Sequence, residues 1–522
     1  MSPPDREAAV MPRPHCSRLG ARTDVSTANV GHVPVVMDEL ETTKLPVPCS
    51  HTEGLCHDPD SLIVTWDGPD DPQDPFNWSL RKKWWATGLG LVASFVCTMN
   101  GTIITVAHKA ISEEFHVSDG TFHDSYWLIT SWGIGAALCP LVLFPIMEDF
   151  GVRPVVLGAY FFFICLLIPV GLAQNFATLI VVRFFSGGCV PLMSDAVAGI
   201  ISNVFHGERA RSVPHGSSGW FLYTSIPFLA LDWLPRINLD CRTLSYHHYR
   251  SSREPWFGYP GGGKKAYTSR ELDRTPLYQV VIRSVQRPLY MLCTESVVFV
   301  ATLWAAFSLG TIYLFTQSVE QVYGELYGWD AVQAGYVQVA IVIGEILGCG
   351  LCVSTNHWYY ASAARNTEAP GTPIPEARLY ASVIGGFFGV TGGMLVYGWT
   401  SYPAIHWIAP AVGLAMVGFG TTAVVVGNAN YLIDAYSKYA ASALGAVGLV
   451  ENTSIAFLPL AATAMYTDLG FQWASSLLAF MSLVLVATPF VVLKWGKEIR
   501  SRSPFMKEAI IESSQRMMRM GG

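Results

Sequence analysis

SYWLITSWGIGAALCPLVLFPIMEDFGVRPVVLGAYFFFICLLIPVGLA, Ser125–Ala173, is the stretch whose reading decides the fold. It holds two apolar runs of about 20 residues. As helix at ~1.5 Å per residue, each is long enough to cross the ~30 Å hydrocarbon layer of a bilayer. One short charged turn joins them, Glu148-Asp149-Phe150-Gly151-Val152-Arg153-Pro154. A turn that short leaves the two helices antiparallel and adjacent. Charges rest in lipid only at high cost, so the turn belongs at a membrane surface. The stretch therefore predicts a polytopic α-helical membrane protein.

Composition agrees. Of 522 residues, 51% are hydrophobic and 14% charged, where a soluble protein carries roughly 25% charged residues. The net charge of -6 says little, because the basic residues gather in particular loops. No basic stripe interleaves with aromatics, which excludes a nucleic-acid-binding reading. The 11 cysteines are scattered, several inside apolar runs, such as Cys97, Cys139 and Cys165. They read as small buried hydrophobes. Cys349-Gly-Leu-Cys352 has redox spacing, but it lies in an apolar span with no βαβ context.

The span pattern is regular at both ends of the chain. Residues 1–83 are polar and rich in Pro and Asp, and read as a disordered cytoplasmic tail with no signal peptide near Met1; Met11 and Met37 are alternative starts. Arg81-Lys82-Lys83 and the aromatic pair Trp84-Trp85 open a first span to Val106 and mark the cytoplasmic side. Spans two to four are expected at Tyr126–Met147, Pro154–Ala173 and Phe176–Phe205. Later spans are expected at Leu292–Gln317, Ala331–Val353, Tyr380–Trp399, Ile405–Ile433, Tyr439–Tyr466 and Gly470–Leu493. Ser318–Trp329 reads as an outer loop without Lys or Arg, and Lys494, Lys497, Arg500 and Arg502 close the chain inside.

The middle breaks the pattern. Between Arg211 and Leu292 the one apolar run is Gly219–Leu234, and it contains Asp232. The basic segments on both sides of it belong inside, so the chain between them must cross twice or not at all. A double crossing needs roughly 17 to 25 residues per pass, more than this run supplies. A helical hairpin is missing, either replaced through a frameshift, a mis-spliced intron or a deletion, or lost to a divergent loop.

Several stretches carry a family resemblance. They are Trp66-Asp67-Gly68-Pro69-Asp70-Asp71-Pro72 with Asn77-Trp78-Ser79, the hairpin turn above, Pro375-Glu376-Ala377-Arg378-Leu379, NYLIDAYSKYAASALGA (Asn430–Ala446) and LGFQWASSLLAF (Leu469–Phe480). With them the chain resembles fungal members of the major facilitator superfamily, in the twelve-helix drug:proton antiporter branch of multidrug, polyamine and toxin exporters. The likeness covers most of residues 60–210 and 264–505. It implies an all-α membrane protein of two six-helix halves, here with helices 5–6 of the N-terminal half missing or altered and about 10 to 11 recognisable spans. The implied organisation is an incomplete N-terminal helical half at 84–235, a cytoplasmic central loop at 236–290, a C-terminal six-helix half at 291–495 and a cytoplasmic tail at 496–522. The departures are specific. Asp149 and Val152 stand where the family's turn is usually basic, and the glycine- and proline-rich motif of helix five is absent.

A transporter of this kind needs no covalent chemistry. It needs a central cavity, a group that exchanges a proton and contacts that latch one state. Asp195, Glu345 and Glu451 lie well inside apolar runs, where an unpaired charge costs roughly 2.5 to 3.5 kcal/mol. Each is a candidate for proton coupling, or else a satisfied structural hydrogen bond. Arg183 is placed like the helix-four arginine that the superfamily links to proton transfer, and its other reading is a helix-terminal anchor. The resemblance makes Glu148 and Arg153 a gating latch, by ion pairing and a helix dipole at a surface. Asn100, Trp132, Asn428, Asn430 and Tyr431 are candidates for the substrate cavity, since polar amides in membrane helices glue helices or meet substrate and aromatics stack on planar or cationic ligands.

The resulting expectation is a proton-coupled exporter of a small organic compound, a drug, toxin or secondary metabolite, acting at the plasma membrane as a monomer, with protons and lipid as its other partners. A vacuolar or plasma-membrane polyamine transporter is a variant of it. A degenerate non-transporting relative and a nutrient uniporter are the competing classes. No nucleophile, metal or nucleotide motif supports an enzyme, no P-loop supports an ATP-driven pump, and no cofactor or metal is called for.

Overall fold

The computed structural model describes residues 61–63, 75–106, 108–117, 124–204, 265–267, 277–366 and 372–508. Lipid offers no partners to backbone N–H and C=O groups, so each crossing must be helical. In the N-terminal half the helices are α1 (Leu80–Val106), the short α2 (His108–Phe115), α3 (Trp127–Phe150), α4 (Val152–Gly171) and α5 (Phe176–Val204). The later helices are α6 (Leu277–Thr294), α7 (Ser296–Tyr327), α8 (Ala331–Val337), α9 (Val339–Ala361), α10 (Leu379–Ile384), α11 (Gly392–Thr400), α12 (Ile408–Tyr436), α13 (Ala440–Phe457) and α14 (Ala462–Arg502). A π-helical turn, Gly385–Thr391, joins α10 to α11 into one crossing. The short strands β1 (Ser61–Ile63) and β2 (Lys265–Tyr267) pair in parallel.

Eight stretches of the described residues are long and apolar enough to cross a membrane. The last, Ala440–Arg502, is 63 residues long and bends where Gly470 takes φ 76°, so it supplies two crossings. The 27-residue α1 is long enough as well, its apolar character diluted by Thr98, Asn100 and Thr102. The spans expected from sequence therefore recur as helices. The missing hairpin, together with everything expected between Phe205 and Lys264, lies outside the described residues.

Three differences from the expected pattern have a common physical cause. The seventh span does not stop at Gln317. α7 continues to Tyr327 because Ser318, Val319, Val322 and Tyr323 are buried, with the Tyr323 hydroxyl donating to the Trp407 carbonyl at 2.8 Å. The expected central loop ends in the helix α6, and the loop after α1 contains α2. In each case polar residues lower the hydropathy of one helix face while the other face still packs.

Helix pairs approach backbone to backbone in both halves. A Cβ at Gly135 of α3 would collide with the Phe184 carbonyl of α5, and one at Gly187 with the Trp132 carbonyl. Likewise a Cβ at Gly344 of α9 would collide with the Ala415 carbonyl of α12, and one at Gly418 with the Ile341 carbonyl. In lipid, helix association relies on such close contact rather than on hydrophobic transfer. The turn between α3 and α4 is set by Gly151, whose φ of 90° disfavours a side chain.

One end of the bundle gathers Lys82, Lys83, Arg378, Lys494, Lys497, Arg500 and Arg502, and is called the basic end below. At the far end the two halves meet. The Thr130 hydroxyl of α3 donates to the Ala456 carbonyl of α13 at 2.8 Å, and Gly133 faces Ala456 with no room for a Cβ. At the basic end α6 packs against both α3 and α13.

Candidate functional site

Arg183 lies on the second turn of α5 and is fully buried. Its guanidinium is satisfied by four oxygens, none of them a carboxylate. Nη1 donates to the Asn100 carbonyl at 2.6 Å and to Asn100 Oδ1 at 2.9 Å. Nη2 donates to the Gly101 carbonyl at 2.8 Å, and Nε to the Leu128 carbonyl at 3.3 Å. A buried cation needs its donors paired, and a planar fork can serve two chain segments at once. Arg183 thereby ties α5 to the late turns of α1 and the start of α3.

Trp132 completes the same cluster. Its ring covers Gly101, where a Cβ would meet the indole at 2.5 Å. It belongs to a cluster with Cys97, Met193 and Ile455, against which Leu309 and Tyr313 of α7 pack, so the cluster spans the join between the two halves. Its Nε1 is buried with no hydrogen-bond partner among the described residues. Three residues singled out separately in the sequence, Asn100, Trp132 and Arg183, are thus one contiguous site.

The remaining candidates are dispersed. Asn428 on α12 donates from Nδ2 to the Ala301 carbonyl of α7 at 2.9 Å, a helix-to-helix tie. Asn430 is half-buried. Tyr431 is buried with a hydroxyl that has no partner among the described residues. Glu451 is buried on α13, one and a half turns from the Ala456 contact with the other half. Glu345 is half-buried on α9, next to the Gly344 contact with α12. The side chains of Asp195, Glu148 and Arg153 lie outside the described residues; the backbone puts Glu148 in the last turn of α3 and Arg153 in the first of α4.

A polar network at the basic end of the C-terminal half carries no role in the sequence reading. Arg378, in the 3-10 turn Pro375–Arg378, donates from Nε to Asp434 Oδ2 at 2.9 Å and from Nη1 to Asn356 Oδ1 at 3.0 Å. Its guanidinium stacks on the Tyr359 ring at 3.5 Å. Beside it, Glu376 and Arg500 form a buried ion pair, and Gly496 leaves room for the carboxylate. Tyr436 donates to Glu295 Oε2 at 3.1 Å. The available signal was the Pro375–Leu379 motif, which lies after the eighth span as the Glu148–Arg153 turn lies after the second. Gln317 was missed too: it is buried on α7 with neither amide atom bonded among the described residues.

Stacked apolar crossings in two packed groups define a polytopic α-helical membrane protein. The Major Facilitator Superfamily model matches residues 90–226, ending inside the apolar run 219–234. The MFS transporter cpaT of Aspergillus oryzae is 30% identical over 470 residues, covering 86% of this chain and 93% of that protein. The efflux pump atB of Aspergillus terreus is 29% identical over 480 residues, covering 85% of this chain and 90% of its own length. The major facilitator superfamily multidrug transporter FLU1 of Candida albicans is 29% identical over 477 residues, covering 85% and 76%. The chain belongs to the major facilitator superfamily of membrane transporters.

Proposed function

We propose that this chain exports a small organic compound, a drug, toxin or secondary metabolite, across the plasma membrane in exchange for protons. The observation that carries the reading is similarity along most of the chain to proteins named as efflux pumps and multidrug transporters. The site supports it. Glu451, buried beside the contact between the halves, is the proposed proton carrier, with Glu345 as the second. A carboxyl group that alternates between dry and wet surroundings changes its proton affinity, which couples proton binding to the rocking of the halves. Arg183 is the proposed positioning residue, holding α1 and α3 against α5. Trp132, Gln317 and Tyr431 offer buried polar atoms with no hydrogen-bond partner among the described residues. Arg378 and Asp434 serve as a latch at the basic end, which the charge distribution assigns to the cytoplasm.

The closed Thr130–Ala456 contact supports a state sealed at the far end. The test is dye or drug efflux from a pump-deficient yeast expressing the chain, with and without a protonophore. Efflux abolished by collapse of the proton gradient supports the reading. Absence of efflux for a broad panel of compounds, with the protein folded at the cell surface, overturns it.

A further inference from the structure

α6 is a helix of eighteen residues whose exposed side carries both apolar and basic residues. One side packs on the bundle: Pro288 and Met291 are buried, and Pro288 lies 3.5 Å from the position of a Cβ on Gly445. The opposite side presents Tyr278, Ile282 and Leu289, which are 63%, 47% and 41% exposed and share a strip at helical spacing. Arg283 and Arg287 are also exposed and lie further round the helix, at least ~100° from that strip at 3.6 residues per turn. α6 contains no Asp or Glu, and no carboxylate pairs with Arg283 or Arg287 among the described residues. Arg287 also lies 5.6 Å over the Tyr439 ring.

The placement matters as much as the pattern. Between α6 and α7 the chain takes an extended residue, Glu295 with φ −97° and ψ 103°, so α6 turns away from the crossing it precedes. It does so at the basic end, where the apolar crossings stop. A helix there with an exposed apolar strip and a pair of exposed arginines has no cover of matching chemistry among the described residues. The cover must offer acyl chains and negative charge side by side, which is what the surface of an anionic lipid leaflet offers.

We propose that α6 is an interfacial helix that binds anionic phospholipid: Tyr278, Ile282 and Leu289 enter the acyl layer while Arg283 and Arg287 hold the headgroup phosphates. The assignment of this leaflet as the cytoplasmic one rests on the sidedness given above; the lipid contact does not. Arg is suited to the task because its planar fork pairs two phosphate oxygens and its stem covers apolar surface. Because α6 touches both α3 and α13, the bound lipid would sit at the seam between the halves.

The test uses the full chain, purified from mixed micelles of phosphatidylcholine with about 20 mol% phosphatidylserine, and counts retained lipid by native mass spectrometry. The wild type is expected to retain phosphatidylserine over phosphatidylcholine. R283Q/R287Q should lose roughly thirtyfold in phosphatidylserine affinity, the worth of two arginines at a charged surface, while R283K/R287K keeps most of it. Equal retention of both lipids by the wild type, or undiminished phosphatidylserine on R283Q/R287Q, overturns the proposal. Should R283Q/R287Q not purify folded, a salt series on the wild type decides: retention falling steeply with ionic strength supports the contact, and retention indifferent to salt overturns it. None of these readouts depends on transport, so a failure of the exporter reading would not be mistaken for a failure of this one.

Discussion

Arg183 and Asn100 share two hydrogen bonds from a single nitrogen, Nη1, to the carbonyl at 2.6 Å and the side-chain oxygen at 2.9 Å of the asparagine. One residue of α5 thus reads both the backbone and the side chain of α1. The same guanidinium reaches Gly101 and Leu128, so three chain segments depend on one planar group. Lysine has the charge but not the fork. R183K is therefore expected to reach the membrane yet lose at least tenfold in efflux rate. N100A removes one of four acceptors and costs about 1 to 2 kcal/mol, a modest loss of thermal stability. Full activity in R183K would show that charge alone suffices at this position.

Closure of the far end depends on a glycine. Gly133 faces Ala456 so closely that G133V would hold α3 and α13 apart. The variant should fold and then fail to transport, with longer distances between spin labels at the far ends of α3 and α13. T130V is the milder companion. It deletes the bond to the Ala456 carbonyl, worth about 1 kcal/mol, and shifts the balance of states roughly fivefold toward opening. Unchanged distances in G133V would mean that the contact is not a gate.

Arg378 and Asp434 pair at 2.9 Å with side-chain exposures of 13% and 24%, sheltered enough to matter but not free of solvent. R378A should cost about 1 to 2 kcal/mol. The exchanged pair R378D/D434R should recover part of it, though not the stacking on Tyr359. Recovery is read from unfolding temperature and efflux together. An exchange that restores neither would argue for the Asn356 and Tyr359 contacts as the operative ones.

The Glu376–Arg500 pair is more deeply buried, at 8% and 6% side-chain exposure for Arg500 and Glu376. E376Q leaves a buried cation poorly compensated and is expected to destabilise by about 3 to 5 kcal/mol. E376Q/R500M removes both charges and should be less damaging than E376Q alone. A double variant as unstable as the sum of the single ones would rule out coupling between the two.

For proton coupling, E451Q and E345Q keep side-chain shape while removing the exchangeable proton. Efflux driven by an imposed pH gradient should fall sharply in E451Q, with substrate binding retained. If both variants keep full pH-dependent efflux, the two acids are structural and the carrier lies elsewhere.

The sequence by itself determined the solvent this chain folds in and the order of the apolar crossings among the described residues. Hydropathy is a local property summed over about 20 residues, so Ser125–Ala173 announces two crossings with no knowledge of the rest. The same local logic marked the acids inside apolar runs, while the family resemblance marked Pro375–Leu379. It could not see α6 or the outer turns of α7, where a polar face hides a packed one. Nor could it join Asn100, Trp132 and Arg183, which are far apart in the chain. Their meeting was decided by the close crossing of α3 and α5 at Gly135 and Gly187, a contact of backbone with backbone that leaves no trace in composition. The tertiary structure also chose between the two readings of a polar amide: Asn428 spends its donor on Ala301, while Asn100 turns its oxygen to a buried cation. A hydrogen bond requires two partners in space, and one chain position names only one of them.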